Sequence, residues 1–329
     1  MRILGIESTA HTFGVGIYDS SADAMLANPK AFYKAPAGQG MIPVVVAEHH
    51  KEHGAKIIEQ AMEQSASDWD SIDAISYSAG PGLGPCLAVG AKAACALAAK
   101  NKKPLIPVHH GHAHIEAARW QTKFKDPLVL YVSGGNTQII TGTRKRSLFC
   151  PPFAVLGETL DIGVGNLFDA FARELKLEFA HGSIVAQKAM QGRNYIPMPY
   201  TVKGMNFAFS GLLTFASKII PDYDENDLCY SLMETAFAEL CEATERALLL
   251  SGKNEVLVCG GVAQNTALMK KIGQMADLHG AQSGTCEGQY NADNGAMIAL
   301  TGYYQFKRGK AIKPQSVWSD QKYRVEMVV

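Results

Sequence analysis

The stretch RILGIES at residues 2–8, followed by FGVGIYD at residues 13–19, carries the strongest indication of the fold. Each stretch is mostly apolar and a short polar segment separates them, which predicts two strands joined by a turn. The same layout returns at residues 128–133 and 137–142, where Ser133-Gly134-Gly135-Asn136 forms the connection. This repetition suggests that one type of domain occurs twice in the chain.

Strands and helices alternate along the rest of the chain. We expect further strands at residues 73–78 and 255–259, and the expected helices lie near residues 46–65, 85–100, 166–177, 227–250, 264–276 and 294–306. Such alternation predicts an α/β protein with a largely parallel sheet. Several prolines and glycines in residues 191–211 predict an ordered loop region, and we place a domain boundary near residues 124–126.

The composition is that of a globular protein with a sizeable core. Of the 329 residues, 47% are apolar and 19% charged, and the net charge of zero argues against a self-sufficient nucleic-acid binder. A basic run, Arg144-Lys145-Arg146, could still make one local patch. Seven cysteines without a CxxC pair indicate reduced thiols, so we expect a cytoplasmic protein. We expect no signal peptide and no membrane span, because no apolar run is long enough.

The segment His110-Gly111-His112-Ala113-His114 indicates a metal site. On a helix, His110 and His114 lie one turn apart on one face, which makes half of a metal site. The apolar residues 103–108 before them predict a strand, and α/β sheets place ligands at such strand ends. The alternative is a surface helix with unrelated histidines. A zinc protease would need Glu in place of Gly111, so its hydrolytic machinery is missing.

Three glycine-containing turns follow predicted strands and could bind phosphate. They are residues 78–85, residues 133–136 and the pair Gly260-Gly261. Glycine lets a backbone approach a ligand closely, and successive N–H groups can bind an anion. Tight turns also need glycine for purely conformational reasons. Three such turns in one α/β chain nevertheless favour a nucleotide site.

Three carboxylates have two possible roles each. Asp293, in Asp293-Asn294-Gly295, could cap the last helix or ligate a cation. Asp161 could bind a ribose or be a solvated loop acid. Glu7 could face a cleft or simply end the first strand.

Taken together, the motifs resemble those of the tRNA threonylcarbamoyl-adenosine transferases, most closely the archaeal and eukaryotic catalytic subunit of the KEOPS complex. The stretches that carry the resemblance are HGHAHIE at 110–116, YVSGGNTQ at 131–138, GETLD at 157–161, FSGLLT at 209–214, GGVAQN at 260–265 and DNGAMIA at 293–299. They extend over nearly the whole chain in the family's order, and Tyr131 favours the archaeal type.

The resemblance implies an actin-like, sugar-kinase-like (ribonuclease-H-like) α/β fold with two duplicated lobes. We expect the lobes at residues 1–124 and at 125–329, the second with a helical insertion. The implied reaction transfers a threonylcarbamoyl group from threonylcarbamoyl-AMP to N6 of the tRNA adenosine beside the anticodon. The implied partners are tRNA and KEOPS-type subunits, including a small protein kinase, with no membrane.

The resemblance also implies the ligands of the site. One divalent metal ion, iron or zinc, would be held by His110, His114, Asp293 and Tyr131. An adenine nucleotide, either the adenylate substrate or ATP or AMP, would lie against Tyr131, Val132, Ser133, Gly134, Gly135, Asn136, Asp161, Gly182, Gly260, Gly261 and Asn265. In the family's arrangement, the turn at residues 133–136 contacts the phosphate, Asp161 contacts the ribose, and residues 260–265 lie beside the base.

Two positions depart from the family's pattern. A glutamate usually follows four residues after the glycine that matches Gly182, but here Ala186 stands there, with Gln187 next. Asp161 would then hold the ribose alone, or Gln187 would substitute. His109 stands where asparagine is common, and a third histidine could affect the choice of metal.

Two other function classes remain open at this stage. An ATPase or small-molecule kinase of the same fold would use Mg²⁺ and a carboxylate such as Glu7, although imidazole ligands suit zinc or iron better. A nucleotide-binding scaffold subunit is also compatible with the neutral charge. No side chain stands out as a nucleophile, and His109 and Glu7 are the candidates for a general base.

Overall fold

The computed structural model describes residues 1–36, 41–142, 153–177 and 180–328. The run Arg144-Lys145-Arg146 lies outside these ranges. The chain divides into two compact units. The first contains the described residues of 1–35, 41–117 and 292–328, and the second contains Pro36 and those of 118–291.

The described strands, in chain order, are β1 (Arg2–Glu7), β2 (Thr12–Asp19), β3 (Ala24–Ala27), β4 (Lys30–Phe32), β5 (Ile72–Gly80), β6 (Leu105–His109), β7 (Leu128–Val132), β8 (Thr137–Gly142), β9 (Phe153–Glu158), β10 (Val202–Lys203), β11 (Asn206–Phe207), β12 (Glu255–Cys259) and β13 (Gln282–Gly284). The described α-helices are α1 (Pro43–Gln64), α2 (Gly84–Lys100), α3 (His110–Thr122), α4 (Val164–Glu174), α5 (Gly182–Ala189), α6 (Phe209–Lys218), α7 (Glu225–Ser251), α8 (Thr266–Leu278), α9 (Gly288–Asn291) and α10 (Gly295–Lys307). Across the described ranges, no helix combines the length and the apolar character that a bilayer crossing needs.

The first unit is built on a mixed sheet with the strand order β3-β2-β1-β5-β6, and β4 also pairs with β2. β1 and β2 are antiparallel, whereas β1, β5 and β6 run parallel. Every residue of β2 is buried, because helices cover the sheet. The parallel strands bring their carboxyl ends to one edge, where α/β sheets place ligands.

Two glycines allow α10 to lie directly on β1 and β2. Gly5 and Gly16 are register partners in this strand pair. A Cβ atom on Gly5 would lie 2.2 Å from the backbone nitrogen of Ala299, and one on Gly16 would lie 2.2 Å from that of Ala296. Real Cβ atoms do not approach so closely, so backbone meets backbone at this crossing. The close approach fixes where the start of α10 lies relative to the sheet.

The second unit is built on a sheet with the order β13-β12-β7-β8-β9. β7 and β8 are antiparallel, and β7 and β12 are parallel. The long helix α7 carries much of the core on its buried face. Its first turn is capped by the Asp224 side chain, and it ends at Gly252 in the left-handed conformation.

The sequence-based expectations agree with most of this architecture. The two antiparallel strand pairs, β5, β12 and six of the helices occur within a few residues of the expected positions. The α/β class is thereby confirmed, but both large sheets mix parallel and antiparallel pairs, so the expectation of a largely parallel sheet was wrong. The region 191–211 is largely loop as expected, but it contains the short pair β10–β11 and the start of α6.

The compact units differ from the expected lobes mainly at the end of the chain, and the first boundary lies at residues 117–118 instead of 124–125. The expected division placed everything after residue 124 in the second lobe, whereas residues 292–328 pack with the first unit. The reason is physical: α10 is buried against β1 and β2, and packing along a whole helix outweighs chain order.

Candidate metal centre

The candidate metal centre lies where β6 passes directly into α3. β6 ends at His109 and α3 begins at His110, with no loop between them. His110 and His114 therefore occupy successive turns of α3 at the carboxyl edge of the sheet. Their rings meet edge to face with centroids 4.7 Å apart.

Asp293 joins the two histidines from the segment just before α10. Its Oδ1 lies 3.3 Å from His114 Nε2 and 3.6 Å from His110 Nε2. One ligand atom from each of the three residues lies within 4.8 Å of the other two. All three belong to the first unit, and both histidines are buried. The geometry thus brings together three of the four residues that were expected to hold a metal.

Glu7 orients His110 by contacting Nδ1, the ring nitrogen that does not face Asp293. The Nδ1 atom of His110 lies 3.0 Å from Glu7 Oε2, and the Glu7 side chain is fully buried. The other oxygen of this carboxylate accepts hydrogen bonds from Thr9 N at 2.6 Å and Thr9 Oγ1 at 2.5 Å. A carboxylate can only accept, so Nδ1 carries a proton and Nε2 is the ring atom left for a metal ion, which would displace the proton that Nε2 holds at neutral pH. This carboxylate–histidine pairing is typical of metal-bound histidines.

The electrostatics of the cluster favour a positive charge at its centre. Burial lowers the pKa of His110, but the carboxylates of Glu7 and Asp293 outweigh it and raise the pKa to about 9. Burial raises the pKa of Asp293, yet the neighbouring His110 and His114 bring it well below its usual range. Two imidazoles and the Asp293 carboxylate are a donor set that fits zinc or iron.

Two neighbouring histidines point elsewhere. His112 Nε2 lies 3.0 Å from Glu116 Oε1. His109 accepts a hydrogen bond at Nδ1 from the His112 amide, 3.1 Å away, and its Nε2 lies 3.0 Å from the carbonyl oxygen of Tyr323. Because both ring nitrogens of His109 are used inside the protein, the structure argues against it as a third metal ligand or a general base. Glu7 is engaged in the same way at both oxygens.

The remaining predicted residues lie in the second unit. Tyr131 is a buried residue of β7, and its part as a fourth metal ligand stays a prediction. The turn at residues 133–136 is closed by a hydrogen bond from Ser133 N to the Asn136 carbonyl oxygen at 2.8 Å. The carbonyls of Ser133 and Gly134 accept from the start of α4. A Cβ atom on Gly135 would meet nothing within 4 Å, so a ligand could approach the backbone there.

Asp161 has partners that the sequence did not suggest. Its carboxylate accepts from the Ile162 amide at 2.6 Å, from the Ser210 amide at 3.1 Å and from the Ser210 hydroxyl. Burial raises the pKa of Asp161, but these hydrogen bonds lower it by more, to a net value below its usual one. Ser210 belongs to the FSGLLT stretch, to which no role had been given. Asp161 therefore ties this stretch to the loop after β9.

Other nucleotide-site candidates also have structural roles. The Gly182 amide donates to Asp169 Oδ1 at 2.7 Å, and Ala186 packs partly against the core. Gly260 has φ +97°, and a Cβ atom there would lie 2.4 Å from the Val132 carbonyl oxygen, which explains the glycine. Asn265 caps α8 by accepting from Ala267 N and Leu268 N. These contacts give the residues structural roles, which are compatible with an additional contact to a nucleotide.

Comparison with known proteins gives one family. The profile of the tRNA N6-adenosine threonylcarbamoyltransferases matches residues 24–300. Proteins with this name from Thermofilum pendens, Staphylothermus marinus and Encephalitozoon cuniculi are 43%, 45% and 42% identical to the chain. The alignments cover 100%, 99% and 100% of this chain and 96%, 98% and 98% of those relatives.

Solved structures with the same fold are more distant in sequence. Full-length HypF in its phosphate- and nucleotide-bound form has a TM-score of 0.63 at 12% identity, covering 97% of this chain and 47% of that one. The activator of 2-hydroxyisocaproyl-CoA dehydratase from Clostridium difficile, with bound ADPNP, has a TM-score of 0.55 at 11% identity, covering 94% and 97%. At such identities the likeness concerns the fold alone.

Proposed function

We infer the reaction of this chain from its family: the chain belongs to the tRNA N6-adenosine threonylcarbamoyltransferases. It is a transferase that modifies tRNA, and the group it transfers is threonylcarbamoyl, placed on N6 of an adenosine. The resemblance seen in the sequence is thereby confirmed. We propose that the donor is threonylcarbamoyl-AMP and that the adenosine is the one beside the anticodon.

The observation that carries the proposed mechanism is the cluster of His110, His114 and Asp293 with Glu7 behind it. We propose that these three side chains hold one divalent ion, zinc or iron, with Tyr131 as a further ligand. When bound, such an ion supplies positive charge that holds the donor and stabilises negative charge on the departing AMP. Glu7 holds the His110 ring through Nδ1, which leaves Nε2 as the ligand atom once a metal ion displaces its proton.

The chemistry is acyl transfer to an amine. The N6 nitrogen of the adenosine attacks the threonylcarbamoyl carbonyl carbon, a C–N bond forms, the C–O bond to the phosphate breaks, and AMP leaves while the amine loses a proton. The backbone of residues 133–136 binds the phosphate, Asp161 faces the ribose, and Gly260, Gly261 and Asn265 lie by the base. No side-chain nucleophile is required, because the amine attacks directly.

We propose KEOPS-type partner subunits, including a small protein kinase, and a cytoplasmic location. The net charge of zero supports partners that add affinity for tRNA. An ATPase or small-molecule kinase is not favoured, because every one of the named relatives is a threonylcarbamoyltransferase.

The metal proposal is tested by two substitutions and a matched control. His110→Ala and His114→Ala should each remove most of the bound zinc or iron and abolish transfer, because each deletes one of three clustered ligands. His112→Gln should keep the metal, because the His112 ring faces Glu116 on the same helix. Metal content is measured by elemental analysis and folding by thermal melting. A full metal complement in both alanine variants would place the site elsewhere.

Transfer itself is tested by reconstitution with tRNA transcript and threonylcarbamoyl-AMP, with and without partner subunits. Modified adenosine in the complete mixture, and none when this chain is left out or replaced by the His110→Ala variant, identifies it as the catalytic subunit. Full modification with the folded His110→Ala variant would make it a scaffold.

A further inference from the structure

Two lysine-rich segments that are far apart in sequence form one basic surface on the first unit. Residues 100–103 have the sequence KNKK and residues 307–313 have KRGKAIK. These eleven residues hold seven of the 31 basic residues and none of the 31 acidic ones. We call the surface formed by both segments the lysine patch.

The two segments are joined by a short antiparallel bridge. The Leu105 amide donates to the Ile312 carbonyl oxygen at 3.2 Å, and the Ile312 amide donates to the Leu105 carbonyl oxygen at 2.7 Å. Between the segments lies an open depression of about 520 Å³, lined in part by Lys102, Lys103 and Lys313. Lysines from both segments therefore face one concavity.

Four lysines of the patch keep their charge exposed to solvent. Lys100, Lys102, Lys310 and Lys313 are exposed, and within the described ranges none of them forms an ion pair. Lys103 donates to a backbone carbonyl, that of Asp70. Because the whole chain is neutral, a local excess of seven positive charges is matched by an acidic excess elsewhere. Such asymmetry is the electrostatic footprint of a polyanion-binding surface.

The lysine patch and the metal centre lie at opposite ends of a single strand. β6 begins at Leu105, beside the patch, and ends next to His110. At about 3.3 Å per residue, this path is roughly 16 Å long. β6 is also an edge strand of its sheet. An RNA stem-loop carries a phosphate at every nucleotide, so phosphates several nucleotides from the target adenosine can reach the other end of β6.

We propose that the lysine patch binds the phosphate backbone of the substrate tRNA and holds it in register with the metal centre. The proposal rests on the proposed function, which supplies a tRNA as the polyanion. Phosphate-binding side chains of this kind position a nucleic acid and do not read its sequence. The patch should therefore contribute affinity to every tRNA substrate alike.

The test compares two fourfold variants of the full chain. In the first, Lys100, Lys102, Lys310 and Lys313 are changed to Gln. In the control, the exposed lysines Lys51, Lys56, Lys203 and Lys270 are changed to Gln, which alters the net charge equally. Binding of an unmodified tRNA transcript is measured by fluorescence anisotropy across a fourfold range of salt, and thermal melting and AMP binding check the fold.

The slope of log affinity against log salt becomes shallower by about 0.9 for each phosphate that the protein no longer neutralises. Suppose that each of the four lysines neutralises one phosphate. Raising the salt concentration fourfold should then weaken tRNA binding by the parent chain and by the control about a hundredfold more than it weakens binding by the patch variant. At low salt the patch variant should bind more weakly than the control. Equal slopes and affinities for the two variants would overturn the proposal.

Two further outcomes separate this proposal from others. If the parent chain transfers threonylcarbamoyl to tRNA and the patch variant binds tRNA like the control, the patch proposal is wrong and the function stands. If the patch variant loses binding to vesicles of anionic phospholipid but not to tRNA, the patch is a membrane surface and the proposal is wrong. Failure of the parent chain to modify tRNA in the complete mixture would instead contradict the proposed function.

Discussion

At the residue scale, Asp293 and Asn294 divide two tasks that the sequence could not assign. Asn294 Oδ1 accepts a hydrogen bond from Met297 N at 2.9 Å and caps α10. Asp293 is thus not needed as the cap, and its carboxylate faces His110 and His114. The helix cap and the cation ligand are both present, one residue apart.

A first residue-scale prediction concerns Asp161. We expect Asp161→Ala to weaken binding of AMP by about tenfold to a hundredfold, because the ribose would lose a hydrogen bond to a charged carboxylate, which contributes roughly 1.5–3 kcal/mol. Ala186→Glu should tighten it if the added acid reaches the ribose. Calorimetric titration of AMP or ATP measures both effects.

Ser210→Ala is the matched control for this prediction. It removes a hydroxyl that bonds to Asp161 but leaves the carboxylate in place. Binding close to that of the parent in Ser210→Ala, with weak binding in Asp161→Ala, assigns the effect to the ribose contact. Equal losses in both variants would mean that Asp161 acts by holding the Ser210 loop.

At the element scale, the crossing of α10 over β1 and β2 builds the metal centre. The helix can approach the strands this closely because both the strands and the start of α10 carry glycines at the contact. A Cβ atom added on Gly14, for example, would lie 3.0 Å from the backbone nitrogen of Gly295. The helix brings Asp293 to the carboxyl edge of the sheet, where the β6–α3 junction presents the histidines. A sheet edge and two helix starts therefore meet at one point.

We expect Gly16→Ala to destabilise the protein by about 3 kcal/mol or more, because the new methyl group would lie inside the van der Waals distance of the Ala296 backbone. Gly273→Ala is the control. Gly273 lies inside α8, and an added Cβ would lie at an ordinary distance of 3.7 Å from Ser283. That change should stabilise by up to about 1 kcal/mol. Urea unfolding measures both, and a mild effect in Gly16→Ala would show that α10 can shift.

At the scale of the whole molecule, chain order and compact units do not coincide. The last described residues, 292–328, belong with the first unit, so the chain leaves that unit near residue 117 and returns to it near residue 292. The first unit is therefore completed by residues from the end of the sequence. Its fold depends on packing between segments that are almost a full chain length apart.

This arrangement predicts the effect of removing residues 292–329. Amide hydrogens in β1, β2 and β5 should lose protection from exchange, because α10 no longer covers the sheet, while those of β7 and β12 keep theirs. Removing only residues 314–329 retains α10 and should preserve most of the protection in β1 and β2. Hydrogen exchange followed by mass spectrometry measures each region. Equal loss in both sheets would contradict the prediction.

Features that depend on neighbouring residues could be predicted before the structure was known. Alternating apolar stretches and turns predicted the strand pairs, and helical periodicity placed His110 and His114 on one face, because both patterns repeat within a few residues. Motif order also identified the family. Shorter elements such as β3, β4 and β13 were missed, because a few residues at a sheet edge give little periodicity.

Contacts between residues that are distant in the chain became visible in the folded structure. Asp293 reaches His114, Ser210 binds Asp161, and residues 307–313 join residues 100–103 through one bridge. Each of these pairs depends on how helices and strands pack, as with α10 against the glycines of β1 and β2. Local patterns specify which face of an element is apolar, but they do not specify the face that it will meet.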